Sequence, residues 1–281
     1  MRRALRWLRN GVLGLVTVVL LFLIAAYARS EWIVRKKHGI PGSPVTVPAD
    51  SSSVAEGARI AKTRGCIGCH GDNLQGKMFI DNALLARIAA PNLTSAAKEY
   101  SDADLERIIR HGVRPDNRSV IAMPSEMFNT LSDDDTGRLL AYIRSIPVTP
   151  GQPRKVQPGV LGRIGMAVGQ FNPTVANVQR ALVANDSFPA AESPHARGAY
   201  LARTSCTECH GITLKGQGSP DLVVAAGYSR EQFATLLKTG VALGGRELPL
   251  MSRVARSRFV HFTDDEIAAL HDYLKARAAG D

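Results

Sequence analysis

The chain has 281 residues, of which 45% are hydrophobic and 21% charged, and its formal net charge is +10. Residues 1–37 hold eight Lys or Arg and one Glu, so seven of the ten excess positive charges belong to the N-terminus. The remaining basic residues are dispersed and accompany no recognition motif, so the charge gives no support for nucleic-acid binding.

The first predicted element is a membrane anchor over residues 1–30. Four arginines precede an uncharged run from Asn10 to Ala28. Basic residues before such a run place the N-terminus in the cytoplasm and direct the chain after the run to export. Ala26-Tyr27-Ala28 also has the small-x-small form that signal peptidase accepts, so a cleaved signal peptide is the alternative. The length of the run favours a retained anchor in a bacterial inner membrane, with the rest of the chain in the periplasm.

The chain beyond the anchor divides into four parts. Residues 31–52 are rich in Gly, Pro and Ser, which is typical of a flexible tether. A first domain over 53–148 and a second over 193–281 each close on a helix that begins with acidic residues. The connector over 149–192 is too apolar for a free linker, so we expect it to lie across the two domains or on a partner.

All four cysteines lie in two copies of one motif, Cys66-Ile67-Gly68-Cys69-His70 and Cys206-Thr207-Glu208-Cys209-His210. Cys-x-x-Cys-His is typical of covalent haem attachment. Thiols one helical turn apart can form thioethers with the haem vinyl groups, and the histidine can ligate the iron. Cys-x-x-Cys alone could be half of a zinc site or a redox pair. A redox pair does not need the histidine, and zinc would need the two motifs to converge. The sequence therefore predicts two covalently bound haem c groups, with His70 and His210 as iron ligands.

The two motifs belong to an internal duplication. Gly57–Ala61 precedes the first motif as Gly198–Ala202 precedes the second. Further along, a gap-free match with an offset of 128 residues pairs Met123 with Met251. We predict these methionines as the second axial ligands, since a thioether opposite histidine raises the reduction potential of a haem.

Other side chains could take the second axial position. Met127 lies four residues after Met123, and most methionines are core residues. His111 falls within a predicted amphipathic helix, and His261 and His271 flank the last helix of the second domain. We rank all four below the repeat-matched methionines.

Pro91 and Pro220 also occupy matching positions in the repeats. The free N–H of a ligating imidazole needs an acceptor that fixes its orientation, and we predict the carbonyl groups of these prolines for that role. Each domain is small for its apolar content, and a haem would supply a hydrophobic plate for its core. With weak strand signals throughout, the sequence predicts an all-α protein with two tandem domains. Each would hold three to four short helices around a covalent haem, after one N-terminal transmembrane helix.

The motifs resemble those of class I c-type cytochromes in tandem dihaem form. More closely, the chain resembles membrane-anchored cytochrome c subunits of periplasmic dehydrogenases of alcohols, aldehydes and sugar acids. The likeness rests on Pro91-Asn92-Leu93-Thr94, Arg110-His111-Gly112-Val113 and Met123-Pro124, and continues through Ala141-Tyr142-Ile143-Arg144. Many of those subunits carry three haems and a C-terminal anchor, whereas this chain has two motifs and an N-terminal apolar segment.

The resemblance implies an electron-transfer protein or subunit rather than an enzyme. Electrons from a periplasmic dehydrogenase or a respiratory complex would pass between the haems and leave to a terminal oxidase or a soluble cytochrome. One alternative is a dihaem enzyme with an open haem site, such as a peroxidase, although matching methionines in both repeats argue against it. Another is a fixed dihaem subunit of a cbb-type oxidase. Hydrolytic and nucleotide-binding motifs are absent from the sequence.

Overall fold

The N-terminal segment forms one long helix, α1 (Arg2–Arg35). Its most apolar window has a mean hydropathy of 2.5, so the helix is long and apolar enough to cross a bilayer. The computed structural model describes residues 2–151, 155–184, 188–216 and 218–280. Within these ranges the chain is mostly helical and has two tandem domains, which confirms the predicted fold class.

The segment after α1, predicted as a flexible tether over residues 31–52, packs along the first domain. The backbone N–H of Ser43 donates to the carboxylate of Glu106 at 2.8 Å, and that carboxylate is fully buried. The side chains of Val45 and Val47 pack against the core of the domain. This segment therefore has an irregular backbone, and it lies on the surface of the first domain.

The first domain is built around a pair of helices that approach closely. These are α2 (Ser51–Thr63) and α7 (Asp133–Ser145), which pack on each other. A Cβ at Gly57 would lie 1.9 Å from the carbonyl oxygen of Arg138, so only glycine permits this approach. Shorter helices complete the domain: α3 (Cys66–His70), α4 (Leu93–Glu99), α5 (Asp102–Glu106), a π-helical turn (Arg107–His111) and α6 (Ser125–Phe128).

A small antiparallel sheet, which the sequence analysis did not predict, covers one side of the first domain. Strands β1 (Lys77–Asn82) and β2 (Ala86–Ala90) form a hairpin. The connector supplies β3 (Lys155–Pro158), which pairs with β2 and sets Val156 opposite Ile88. Strands of four to six residues are too short to leave a clear alternation in the sequence.

The rest of the connector forms two helices, α8 (Val160–Ala167) and α9 (Thr174–Val183). Helix α8 packs on α1, and α9 packs on α6. Phe188 stacks on Tyr273 of the second domain, with ring centroids 6.4 Å apart. Residues 152–154 and 185–187 of the predicted connector lie outside the described ranges.

The second domain repeats the close helix pair of the first. Helix α10 (Ala196–Ser205) packs on the last helix, and a Cβ at Gly198 would lie 2.1 Å from the carbonyl oxygen of Ala269. The other elements are α11 (Thr207–His210), a 3-10 helix (Leu222–Gly227), α12 (Arg230–Thr239), β4 (Val241–Ala242), a 3-10 turn (Leu243–Gly245), β5 (Arg246–Glu247), α13 (Met251–Ser257), a 3-10 turn (Phe259–His261) and α14 (Asp264–Ala279). Thr263 and Glu266 form the capping box expected at the start of α14.

The two domains contact each other through equivalent positions of the duplication. Arg59 on α2 and Tyr200 on α10 occupy the same place in the two repeats. The Arg59 guanidinium lies 2.6 Å from the carboxylate of Glu266, the third residue of α14. The Tyr200 hydroxyl donates at 2.5 Å to Asp135, the third residue of α7. Each domain's first helix thus meets the start of the other domain's last helix, which gives the pair an approximate two-fold relation.

Candidate haem sites

The first motif forms a single helical turn that begins at a left-handed glycine. Helix α2 ends at Thr63, Gly65 has a φ of 79°, and α3 covers Cys66–His70. A Cβ at Gly65 would lie 2.3 Å from Cζ of Arg258. The positive φ favours glycine before the motif, and the absent side chain leaves room for the guanidinium of Arg258.

A cavity of about 790 Å³ lies in the first domain, next to this turn. The predicted site residues that line it are Cys66, Cys69, His70, Pro91 and Met123. Much of the remaining wall is apolar, with Ile88, Leu105, Ile109, Phe128, Leu139 and Ile143. Two thiols, an imidazole and a thioether around an apolar space fit a covalently attached haem, because the porphyrin is hydrophobic and its iron takes nitrogen and sulfur ligands.

His70 is buried, and Pro91 orients its imidazole. The Nδ1 atom lies 2.9 Å from the carbonyl oxygen of Pro91. Burial lowers the pKa of His70, and the hydrogen bond to Pro91 only partly opposes this. A neutral imidazole that donates from Nδ1 keeps the lone pair of Nε2 for a metal.

Met123 lines the same cavity from a loop that the connector holds in place. We call residues 119–124 the methionine loop. The Thr174 hydroxyl at the start of α9 donates to the carbonyl of Met123 at 2.9 Å, and the next N–H of α9 donates to Ser119 Oγ at 3.1 Å. The competing Met127 is only 1% exposed, packs in the core and is not among the cavity-lining residues. The geometry favours Met123, and it gives Thr174 a positioning role that no sequence motif signalled.

The second motif repeats this local geometry. Helix α11 covers Thr207–His210, and His210 Nδ1 lies 2.8 Å from the carbonyl oxygen of Pro220. Met251 is the first residue of α13. Together with Cys206 it packs against the hydrophobic core of the second domain. The structure thus brings Cys206 and Met251 to one core and sets His210 against Pro220.

Burial keeps the motif thiols protonated. It raises the pKa of Cys66 to about 11 and that of Cys206 to about 12. It also raises the pKa of Cys69 and of Cys209. Redox-active Cys-x-x-Cys pairs depend on a lowered thiol pKa, so these pairs do not match that alternative. Across the part of the chain that the structure describes, no three His, Cys, Asp or Glu side chains converge as metal ligands, and a zinc site shared by the motifs has no support.

The imidazoles of two of the three competing histidines make polar contacts with other groups. His111 Nε2 lies 3.6 Å from the buried carboxylate of Glu106. His271 is 2% exposed, and its Nε2 lies 3.0 Å from the carbonyl oxygen of Tyr228. His261 lies at the domain contact, where its carbonyl accepts from the guanidinium of α2 at 3.2 Å. The lining of the first-domain cavity includes none of the three.

Residues of the second domain close one side of the first-domain cavity. Arg258 and Glu208 both line it, and they form an ion pair of 2.6 Å. Because Glu208 lies inside the second motif and Arg258 lies against the glycine before the first, this pair links the two motifs. The position of Glu208 within the motif could have drawn attention to it. Arg258 gave no signal, since its role depends entirely on how the domains meet.

Comparison with known proteins places these features in a family. The sequence profile of the cytochrome c family matches residues 54–147 and again 195–278. The cytochrome c subunit of the quinone alcohol dehydrogenase of Gluconacetobacter polyoxogenes is 26% identical over 275 residues, which cover 82% of this chain and 57% of that protein. The fructose dehydrogenase cytochrome subunit of Gluconobacter japonicus is 22% identical over 273 residues, or 84% of this chain and 55% of that protein. The gluconate 2-dehydrogenase cytochrome c subunit of Pantoea cypripedii is 26% identical over 283 residues, or 83% and 61%.

The chain spans little more than half the length of these curated relatives. The family profile nevertheless covers both repeats, including each Cys-x-x-Cys-His motif and the methionine that matches it. The chain therefore belongs to the cytochrome c family, whose members carry covalently bound haem c.

Proposed function

We propose that the chain is a dihaem electron-transfer cytochrome, attached to the bacterial inner membrane by α1 with its haem domains in the periplasm. It would accept electrons from a dehydrogenase or a respiratory complex and pass them to a terminal oxidase or a soluble cytochrome. The observation that carries the proposal is the first-domain cavity, where both motif thiols, His70 and Met123 meet. The three relatives named above are cytochrome subunits of dehydrogenases, which supports a dehydrogenase as the donor.

The residues around each site have separable roles in this proposal. Cys66 and Cys69 would hold one haem, and Cys206 and Cys209 the other. His70 and Met123 would ligate the first iron, and His210 and Met251 the second. Bound haem supplies a one-electron couple between ferric and ferrous iron, and methionine ligation favours the ferrous form. The carbonyl groups of Pro91 and Pro220 fix the two imidazoles at 2.9 and 2.8 Å.

The domain contact would provide the route between the two sites. The ion pair between Arg258 and Glu208 joins the motif of one domain to the cavity of the other. Arg64, which directly precedes Gly65, is 4% exposed and lies over the ring of Tyr200, 5.8 Å from its centroid. Both domains therefore contribute packed side chains between their motifs, and electrons would cross where those side chains meet.

The test is an optical redox titration of the purified, haem-loaded chain, with carbon monoxide added to the reduced form. Two six-coordinate haems at positive potentials that do not bind carbon monoxide are expected. In Met123→Leu or Met251→Leu, one haem loses its sixth ligand and binds carbon monoxide. Met127→Leu is the matched control and should behave as the wild type, because its side chain packs outside the cavity lining.

Two results would count against the proposal. Rapid carbon monoxide binding by the wild type would show an open haem and favour a peroxidase-like enzyme. One haem per chain after full attachment would contradict the dihaem assignment. If neither result is obtained, co-purification with a dehydrogenase or with oxidase subunits would identify the electron partners.

A further inference from the structure

Helix α8 of the connector packs beside the C-terminal end of the apolar run of α1. The buried residues of α1 are Ala26 and Ser30, 4% and 0% exposed, and α8 is the helix that packs on α1. Ala26 lies two residues before the end of the uncharged run at Ala28, which is about 3 Å along a helix axis. If the run spans the hydrocarbon region, α8 lies at its boundary.

Arg163 fixes α8 to this part of α1. Its guanidinium lies 3.0 Å from Ser30 Oγ and 2.9 Å from the carboxylate of Glu31. It also lies over the ring of Tyr27, 4.1 Å from the centroid. Tyrosine and paired charges at the end of an apolar run are typical of the membrane interface. The contacts therefore hold α8 beside the anchor and restrict its orientation.

The outer face of α8 is apolar, which reverses the usual pattern of a surface helix. At 100° per residue, Val160, Leu161, Ile164 and Val168 fall within one arc of about 100°. The buried residues Gly162, Gly165 and Met166 point to the opposite side. The β1–β2 turn extends the exposed surface, since the N–H of Leu161 donates to the carbonyl of Leu84 at 2.9 Å. We call it the apolar patch, and its members are 54 to 64% exposed: Leu84, Val160, Leu161 and Val168.

We propose that the apolar patch rests in the lipid surface beside α1, at the boundary between headgroups and acyl chains. Because α8 packs on α1 beside the end of its apolar run, the bilayer would be the nearest apolar phase to the patch. The first domain then contacts the membrane at two places, α1 and the patch, which fixes the side of the domain that faces the lipid. This proposal rests on the insertion of α1 under the proposed function.

A photoreactive lipid tests the proposal on the complete chain. The haem-loaded protein is reconstituted into phosphatidylcholine vesicles that contain a lipid with a diazirine near the acyl carbonyl. After irradiation, lipid adducts are mapped by mass spectrometry. We expect adducts in residues 10–28 and in residues 159–171, and none at the exposed Val223 and Val224 of the second domain.

A double variant, Leu161→Glu with Val168→Glu, should lose most adducts in residues 159–171 while those in the anchor persist. Val224→Glu, which changes an exposed valine elsewhere, is the matched control and should leave the adduct map unchanged. The haem absorption spectrum reports whether each variant is folded. Adducts confined to the anchor in the wild type would overturn the proposal, whatever else covers the patch. A wild-type map without adducts in residues 10–28 would instead overturn membrane insertion, on which the proposal depends.

Discussion

The ion pair between Arg59 and Glu266 should contribute strongly to the contact between the two domains. The two guanidinium nitrogens lie 2.6 and 3.0 Å from the two carboxylate oxygens, and one of them also donates to the carbonyl of His261 at 3.2 Å. The carboxylate side is 4% exposed and the guanidinium side 26% exposed. Arg59→Met keeps most of the aliphatic stem and removes the charge and its hydrogen bonds.

Removal of one partner from a buried ion pair costs about 3–5 kcal/mol, because the other charge is left unpaired. Here the expected loss is about 2–3 kcal/mol, since Arg59 is partly exposed and Glu266 keeps two other donors. These are the guanidinium of Arg197 at 3.4 Å and the N–H of Thr263 at 3.0 Å. The loss of stability cannot exceed the free energy of the contact between the two domains, because the domains can separate without unfolding.

Calorimetry of the haem-loaded chain, with limited proteolysis of the connector, would measure this effect. Arg59→Met should lower the unfolding temperature of the domain pair and speed cleavage between residues 184 and 195. Arg138→Met is the control, since its ion pair with Asp134 at 3.0 Å has one partner 79% exposed. Surface pairs of this kind contribute less than about 1 kcal/mol. If the two variants behave alike in both assays, the ion pair does not hold the domains together.

Four further outcomes are expected. Gly57→Ala and Gly198→Ala should each destabilise their own domain by about 1–3 kcal/mol in thermal unfolding, because the new Cβ meets a backbone carbonyl; equal stability to the wild type would contradict the close approach. Thr174→Val should loosen the methionine loop through loss of a hydrogen bond of about 1 kcal/mol, detected as faster carbon monoxide binding at the reduced first-domain haem. A nearby positive charge destabilises the oxidised haem, which is its more positive state. Arg258→Gln removes such a charge and should lower the reduction potential of that haem in spectroelectrochemistry; an unchanged potential would place this side chain away from the haem. Burial raises the pKa of Glu266, but its arginine partners outweigh this and hold the pKa below its ordinary value of 4.5. The contribution of Glu266 to the domain contact is therefore present above about pH 4.5 and lost as the pH falls through the lowered pKa, which unfolding temperatures at stepwise lower pH would show.

The local chemistry of this protein could be predicted from the sequence because it depends on short spacings. Cys66, Cys69 and His70 lie within one helical turn, so any helix there brings them together. The duplication extended this prediction to the second motif and selected Met123 over Met127. The start of the last helix could be predicted in the same way, since its capping box joins Thr263 to a residue three positions later.

Short sequence patterns could not predict the strands or the path of the segment before the first domain. Strand β3 exists because its residues pair with β2, more than sixty positions earlier in the chain. The N–H of Ser43 donates to the buried Glu106, a carboxylate 63 positions later in the chain that also accepts from Arg110. Gly and Pro in that segment indicate irregular backbone, and the same composition suits a packed or a free stretch of chain.

The sequence by itself determined two Cys-x-x-Cys-His repeats, each within a cytochrome c domain, and an N-terminal helix able to cross a bilayer. Only the tertiary structure decided how the repeats meet: Arg59 and Tyr200, at one position of the duplication, each reach the last helix of the other domain. It also decided that Arg258 closes the first-domain cavity and that α8 lies beside the anchor. The physical reason is the separation along the chain of the residues that interact. Motifs act through covalent neighbours and single helical turns, whereas these contacts form between surfaces whose complementarity exists only after both domains have folded.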